Sequence, residues 1–135
     1  MITKKLKTIF GFSILLFILH GLEEFFTHFY DVDAFDQRIF SIFSNLSIHG
    51  ATFATFQIMF WLLLTISFLL ILGEKWQFRV LAIAGLIYIY ELHHILKAVS
   101  EWGYYPGLIT ALGFPFVAVL FWKEWLKVYK TFKNT

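Results

Sequence analysis

The sequence predicts an all-α polytopic membrane protein, a four-helix bundle forming one integral membrane domain over residues 1–135. Three observations predict it. Hydrophobic residues fill 59% of the positions and charged residues only 15%, against about 45–50% and 25% in soluble domains. Four apolar segments approach the roughly 20 residues that cross a hydrocarbon core. Aromatic residues supply 21% of the chain, and Trp and Tyr gather towards the ends of the apolar runs, as in an interfacial belt. The absence of cysteine excludes disulfides, thiolate metal sites and cysteine nucleophiles. No basic groove interleaved with aromatics is present, so the formal charge of +2 bears on membrane topology and not on nucleic-acid binding.

The first span is expected at 8–26. Lys4, Lys5 and Lys7 precede it as they would a signal peptide, but the run ends in His20, two glutamates and Phe25-Phe26, not in the small residues of a cleavage site, so a retained helix is predicted. The second, 51–72, is an uncharged run and the clearest of the four. The third, 78–99, and the first reach spanning length only by including His, Glu and Lys residues. The fourth, 106–122, opens on Pro106, suited to a first helical turn, and carries Pro115 inside, which predicts a kink near Gly113-Phe114-Pro115. Between spans one and two, Phe35, Ile39, Phe43 and Leu46 follow helical spacing. Asp33 is the natural cap of a short amphipathic interfacial helix there, with Asp36 in its positive first turn; an outer loop folded over the bundle is the alternative. Asn45-Leu46-Ser47 matches a glycosylation tripeptide, a weak signal.

Positive residues at both ends (Lys4, Lys5, Lys7; Lys123, Lys127, Lys130, Lys133) and in the Glu74-Lys75-Arg79 turn place these segments on the cytoplasmic side of the cell membrane and the Asp31–Asp36 segment outside. Four spans satisfy this assignment with both termini cytoplasmic. Spans one and three then run outwards, and His20 and Glu91 each lie about 18 Å along their helices at 1.5 Å per residue.

Polar residues inside these spans are the functional signal. An ionisable side chain near the bilayer centre costs about 2.5–3.5 kcal/mol on insertion scales, so such groups are normally paired and mark a site. His20, Glu23 and Glu24 share one helix face with Ser13 and Thr27; Tyr88, Glu91 and His94 share another, from which His93 points away. The two faces are expected to meet in a polar chamber opening outwards. His49, at the start of span two, and Tyr104 and Thr110, at the start of span four, are candidates to support it. Structural readings compete: Glu23 or Glu24 paired with His20 or Lys97 simply to hold the bundle, His28 among headgroups, His93 packed against a neighbour, Lys97 and Glu101 as a solvated pair.

His20-Gly21-Leu22-Glu23-Glu24, a later histidine at His94, and Tyr104-Tyr105-Pro106-Gly107 together resemble the HXXEE-motif family of small membrane proteins. The resemblance covers the chain from the first span to the fourth. It implies a membrane protein with a shared site, and it brings no biochemical activity with it.

Three mechanisms suit the chamber. In the first, His20, Glu23, Glu24, Glu91 and His94 bind a divalent metal, zinc, iron or manganese, and Glu23, Glu24 and Glu91 take part in catalysis on a lipophilic substrate. Glu91-x-x-His94 resembles the Glu-x-x-His element of di-metal bundles, but spans two and four lack the further carboxylates, which predicts a mononuclear site. In the second, a metal-free isomerase moves protons with the same glutamates and histidines. In the third, the chamber binds a lipophilic ligand or handles ions or protons without catalysis.

Overall fold

A computed structural model describes residues 2–133; Met1, Asn134 and Thr135 of the expected 1–135 domain, and the Phe132 and Lys133 side chains, lie outside what is described. The described residues are mainly helical, with no strand among them. They form two compact units, 1–29 with 81–135, and 30–80. Four stretches are long and apolar enough to cross a membrane: Lys4–Phe26, Ile48–Ile71, Glu74–Ser100 and Leu108–Thr131.

Most of the buried residues lie in the first unit. Helix α1 (Lys4–Phe26) starts earlier than the apolar pattern does, because Thr3 caps it: its hydroxyl accepts from the Leu6 N–H at 3.2 Å. The third stretch is two helices, α5 (Glu74–Tyr90) and α6 (His93–Ser100), separated at Glu91-Leu92, where the ladder tightens to i→i+3 bonds such as Leu92 N–H to Ile89 O at 3.2 Å. The fourth is also two, α7 (Leu108–Ala111) and α8 (Phe114–Lys133), with the break where Gly113-Phe114-Pro115 predicts a kink. Pro115 occupies the first turn of α8, where a missing N–H leaves no bond unmade.

Pro106 does not open the fourth helix as the sequence suggests. Gly107 stands at the cap of α7 with φ +84, in the left-handed region, and the helix begins at Leu108. Helix α6 ends in a Schellman pattern, with Gly103 N–H on Ala98 O at 3.1 Å and Trp102 at φ 50.

Helices α1, α5 and α8 pack through an aromatic layer. The Phe17 ring lies 5.5 Å from Tyr88 and 4.8 Å from Phe114, and Tyr88 meets Phe121 at 5.2 Å. Gly85 lets the Phe121 ring come so close that a Cβ at that position would collide with it, and the Trp122 indole N–H donates to the Gly85 carbonyl at 3.1 Å. Ser13 donates to Phe10 O at 2.7 Å, which leaves the Tyr88 hydroxyl to donate to Ser13 across 2.7 Å. Most other side chains of the spanning helices are exposed, as a hydrocarbon solvent permits.

In the second unit, α2 (Phe29–Val32), whose first residue belongs to the first unit, leads to α3 (Ala34–Phe40). Asp33 caps α3 by accepting from the Phe35 and Asp36 N–H groups at 2.8 and 3.0 Å, so a short helix forms where helix and loop were both open. A 3₁₀ turn follows at Ser41–Phe43, then α4 (Ile48–Ile71), whose cap is Ser47, the last residue of the glycosylation-like tripeptide.

Candidate metal centre

The break in the third stretch and the packing of α1 against α7 bring four ionisable side chains together on top of the aromatic layer. His20, Glu24, Glu91 and His94 each offer one ligand atom, and these atoms lie within 4.8 Å of one another. They alternate around a ring: His20 Nε2 is 3.1 Å from Glu91 Oε2 and 3.5 Å from Glu24 Oε1, while His94 Nε2 is 3.2 Å from Glu24 Oε1 and 3.5 Å from Glu91 Oε2. His20 and His94 are buried, and Glu91 nearly so. The Phe114 ring packs edge-on against His20 at 5.1 Å, and the Phe29 ring covers His94 at 4.9 Å. Glu24 alone keeps a partly open side chain, 26% exposed against 12% for Glu91.

The outer nitrogen of each histidine is committed. His94 Nδ1 lies 2.6 Å from the Pro106 carbonyl, which can only accept, so Nδ1 carries the proton. His20 Nδ1 lies 2.8 Å from Thr110 Oγ1. The Thr110 hydroxyl proton goes to Glu23 Oε2 at 2.5 Å, or to Gly107 O at 3.3 Å; both are acceptors, so Thr110 accepts from His20 Nδ1–H in either case. Each Nε2 therefore faces the two carboxylates with a lone pair that takes either a second proton or a metal. For His20 a proton would find Glu91 in line. For His94 it would not: its Nε2 is buried and makes no hydrogen bond, although two carboxylate oxygens lie within 3.5 Å.

The spacing is close to that of a first-row metal ion's ligands. Bonds of about 2.1 Å separate the ligands of a tetrahedral centre by about 3.4 Å; the four neighbouring separations here run from 3.1 to 3.5 Å, and the whole set lies within 4.8 Å, so an ion would draw the widest pair inwards. Two imidazoles and two carboxylates are donors for zinc, iron or manganese.

Glu23 stands outside this ring. Its Oε1 accepts from the Tyr104 hydroxyl at 2.8 Å and the Ile109 N–H at 2.9 Å; its Oε2 accepts from the Thr110 N–H at 2.8 Å and from the Thr110 hydroxyl. Tyr104 and Thr110, expected to support the site, thus do so by different routes, one through Glu23 and one on His20 directly. The Tyr104 phenol is pushed above its ordinary value by partial burial, helped by the Glu23 carboxylate. His49 is exposed at the start of α4, in the other unit, and is not one of the four. His93 stacks on His94 at 4.0 Å with its Nδ1 3.0 Å from the Tyr90 carbonyl.

The sequence allowed a close backbone approach at Gly107 beside a merely structural turn, and did not single out the Pro106 carbonyl. A Cβ on Gly107 would come within 2.8 Å of His94 and 2.9 Å of His20, so this backbone is the wall on which both imidazoles rest. Its only sequence signal is the Tyr-Pro-Gly turn itself.

These features define an all-α protein with four helices fit to cross a membrane and a buried His/Glu group able to hold a metal ion. The family model described as "protein of unknown function with HXXEE motif" matches residues 12–122, and the chain belongs to that family. His20, Glu23 and Glu24 are its named residues here. No curated protein and no solved structure matches the chain.

Proposed function

We propose that this protein is a membrane-embedded metalloenzyme that holds one divalent zinc, iron or manganese ion on His20, Glu24, Glu91 and His94 and acts on a lipophilic substrate. The observation that carries the reading is the buried His94 Nε2, its partner nitrogen already protonated, aimed at two carboxylate oxygens without a hydrogen bond to either. A metal ion uses that lone pair, and the second histidine and both glutamates are within its reach. The two glutamate charges balance a divalent cation, which removes the penalty of an uncompensated charge in hydrocarbon. Four protein ligands fill a tetrahedral ion, so catalysis requires a fifth position or release of one ligand; the partly exposed Glu24 side is where substrate or water would enter. When bound, the metal would polarise or activate a substrate or water oxygen. With the lysine-rich ends cytoplasmic, the site lies in the outer half of the cell membrane, reached by molecules dissolved in the lipid.

The test is metal analysis of protein expressed with each metal and purified in mild detergent, followed by incubation with membrane lipid extract and mass spectrometry. Near-stoichiometric metal, and lipid conversion lost in Glu24→Gln, support the proposal. Bound but unaltered lipid would make the protein a carrier.

One observation favours a metal-free reading. The path from His20 Nδ1 through Thr110 to Glu23 is a continuous hydrogen-bonded chain that could carry a proton from the site to a carboxylate. Conversion by metal-stripped protein would select this isomerase mechanism.

A further inference from the structure

The two adjacent glutamates of the motif have unlike surroundings. Glu24 faces the histidines, and Glu23 faces the backbone and hydroxyl donors of the 104–110 turn. The stretch from Pro106 to Thr110 supplies the outer hydrogen bond of both histidines, Pro106 O to His94 and Thr110 Oγ1 to His20. Within the same stretch Gly107 packs on both rings. Beside the His20–Thr110 bond, four hydrogen bonds tie the 104–110 turn to α1, and all four end on the Glu23 carboxylate. A metal-bound histidine is oriented by the group that its other nitrogen meets, and loss of that group weakens metal binding about 10- to 100-fold.

We propose that Glu23 is a positioning residue and not a ligand: it clamps the 104–110 turn to α1 and thereby holds the acceptors of both Nδ1–H groups in place and sets the ring orientation of His20 and His94 together. Glu24 is the metal ligand of the pair. This division rests on the metal reading for its effect on affinity, but the tautomers themselves exist with or without the ion.

Two acceptor oxygens are what the clamp requires, since every group facing Glu23 donates to it. In Glu23→Gln one oxygen becomes an NH₂ group, which meets another donor and cannot accept from Thr110. Thr110→Val removes the hydroxyl and keeps the side-chain shape, whereas Thr110→Ser keeps the hydroxyl.

The experiment has two arms on the full-length protein in detergent. In the first, cobalt(II) is titrated as a spectroscopic probe. Glu23→Gln and Thr110→Val are expected to weaken binding 10- to 100-fold while the bound ion keeps the wild-type spectrum type. Thr110→Ser should bind as wild type, and Glu24→Gln should change the spectrum. The Glu23→Gln/Thr110→Val double variant should bind no more weakly than the worse single one, because the two residues act as one unit. In the second, histidine ¹⁵N NMR of the metal-free protein follows the His20 Nδ1 proton, expected to be protected from exchange in wild type and in Thr110→Ser and lost in Glu23→Gln. Changed cobalt coordination in Glu23→Gln would make Glu23 a ligand and overturn the proposal. An unchanged Nδ1 proton in Glu23→Gln would overturn it too. Wild-type protein that binds no cobalt contradicts the metal reading, while the NMR arm still decides the role of Glu23; a Glu23→Gln variant that fails to fold leaves Thr110→Val against Thr110→Ser to decide it.

Discussion

The Pro106 carbonyl accepts a hydrogen bond from His94 Nδ1 across 2.6 Å, and the next residue, Gly107, is the one whose backbone touches both imidazoles. A turn that reads in sequence as a helix start is therefore the support on which the histidines are held.

Gly107→Ala tests that support. At φ +84 an L-residue is strained by about 1–2 kcal/mol, and the new methyl would force both rings away from the carboxylates. The expected result is a lower melting temperature in detergent together with loss of bound metal. Gly103→Ala, whose methyl would make only an ordinary contact with the Glu101 carbonyl at 3.7 Å, should retain the metal.

Tyr104 gives a pH signature. Its phenol titrates above the ordinary value of 10.0 in the folded protein, so the folded state holds its proton more tightly than the unfolded one. The hydrogen bond to Glu23 contributes fully below pH 10, and its contribution fades as pH rises through the higher folded value. Melting of wild type and Tyr104→Phe between pH 8 and 11 should converge towards the alkaline end. A constant difference across that range would show that Tyr104 acts through packing alone.

Tyr88 provides the contrasting case. Its hydroxyl meets only Ser13, which already has Phe10 O as acceptor, in the aromatic layer beneath the site. Tyr88→Phe should destabilise the protein by about 0.6 kcal/mol, the average for interhelical polar contacts in membranes. Metal content should be unchanged, as measured by elemental analysis beside thermal unfolding.

How much of this was legible in the sequence follows from the helix period. Spacings of three and four residues put His20 with Glu24, and Glu91 with His94, so the two walls of the site could be read directly. The same rule admitted Glu23 to the group, because residues 100° apart both border one face. What separates Glu23 from Glu24 is the element packed against α1 at each position, the α7 N–H groups in one case and the α6 histidine in the other. That is tertiary information. The short α3 helix was legible through the Asp33 cap, a local signal. The break at Glu91-Leu92 was not, since no proline or glycine marks it.

Elemental analysis of detergent-purified protein tests the central claim most directly, comparing wild type with His20→Ala, Glu24→Gln, Glu91→Gln and His94→Ala. The account predicts about one zinc, iron or manganese ion per wild-type chain, retained through desalting and lost or strongly reduced in all four variants. Metal-free wild type after growth with each of the three metals, or metal that persists in His94→Ala, would contradict it.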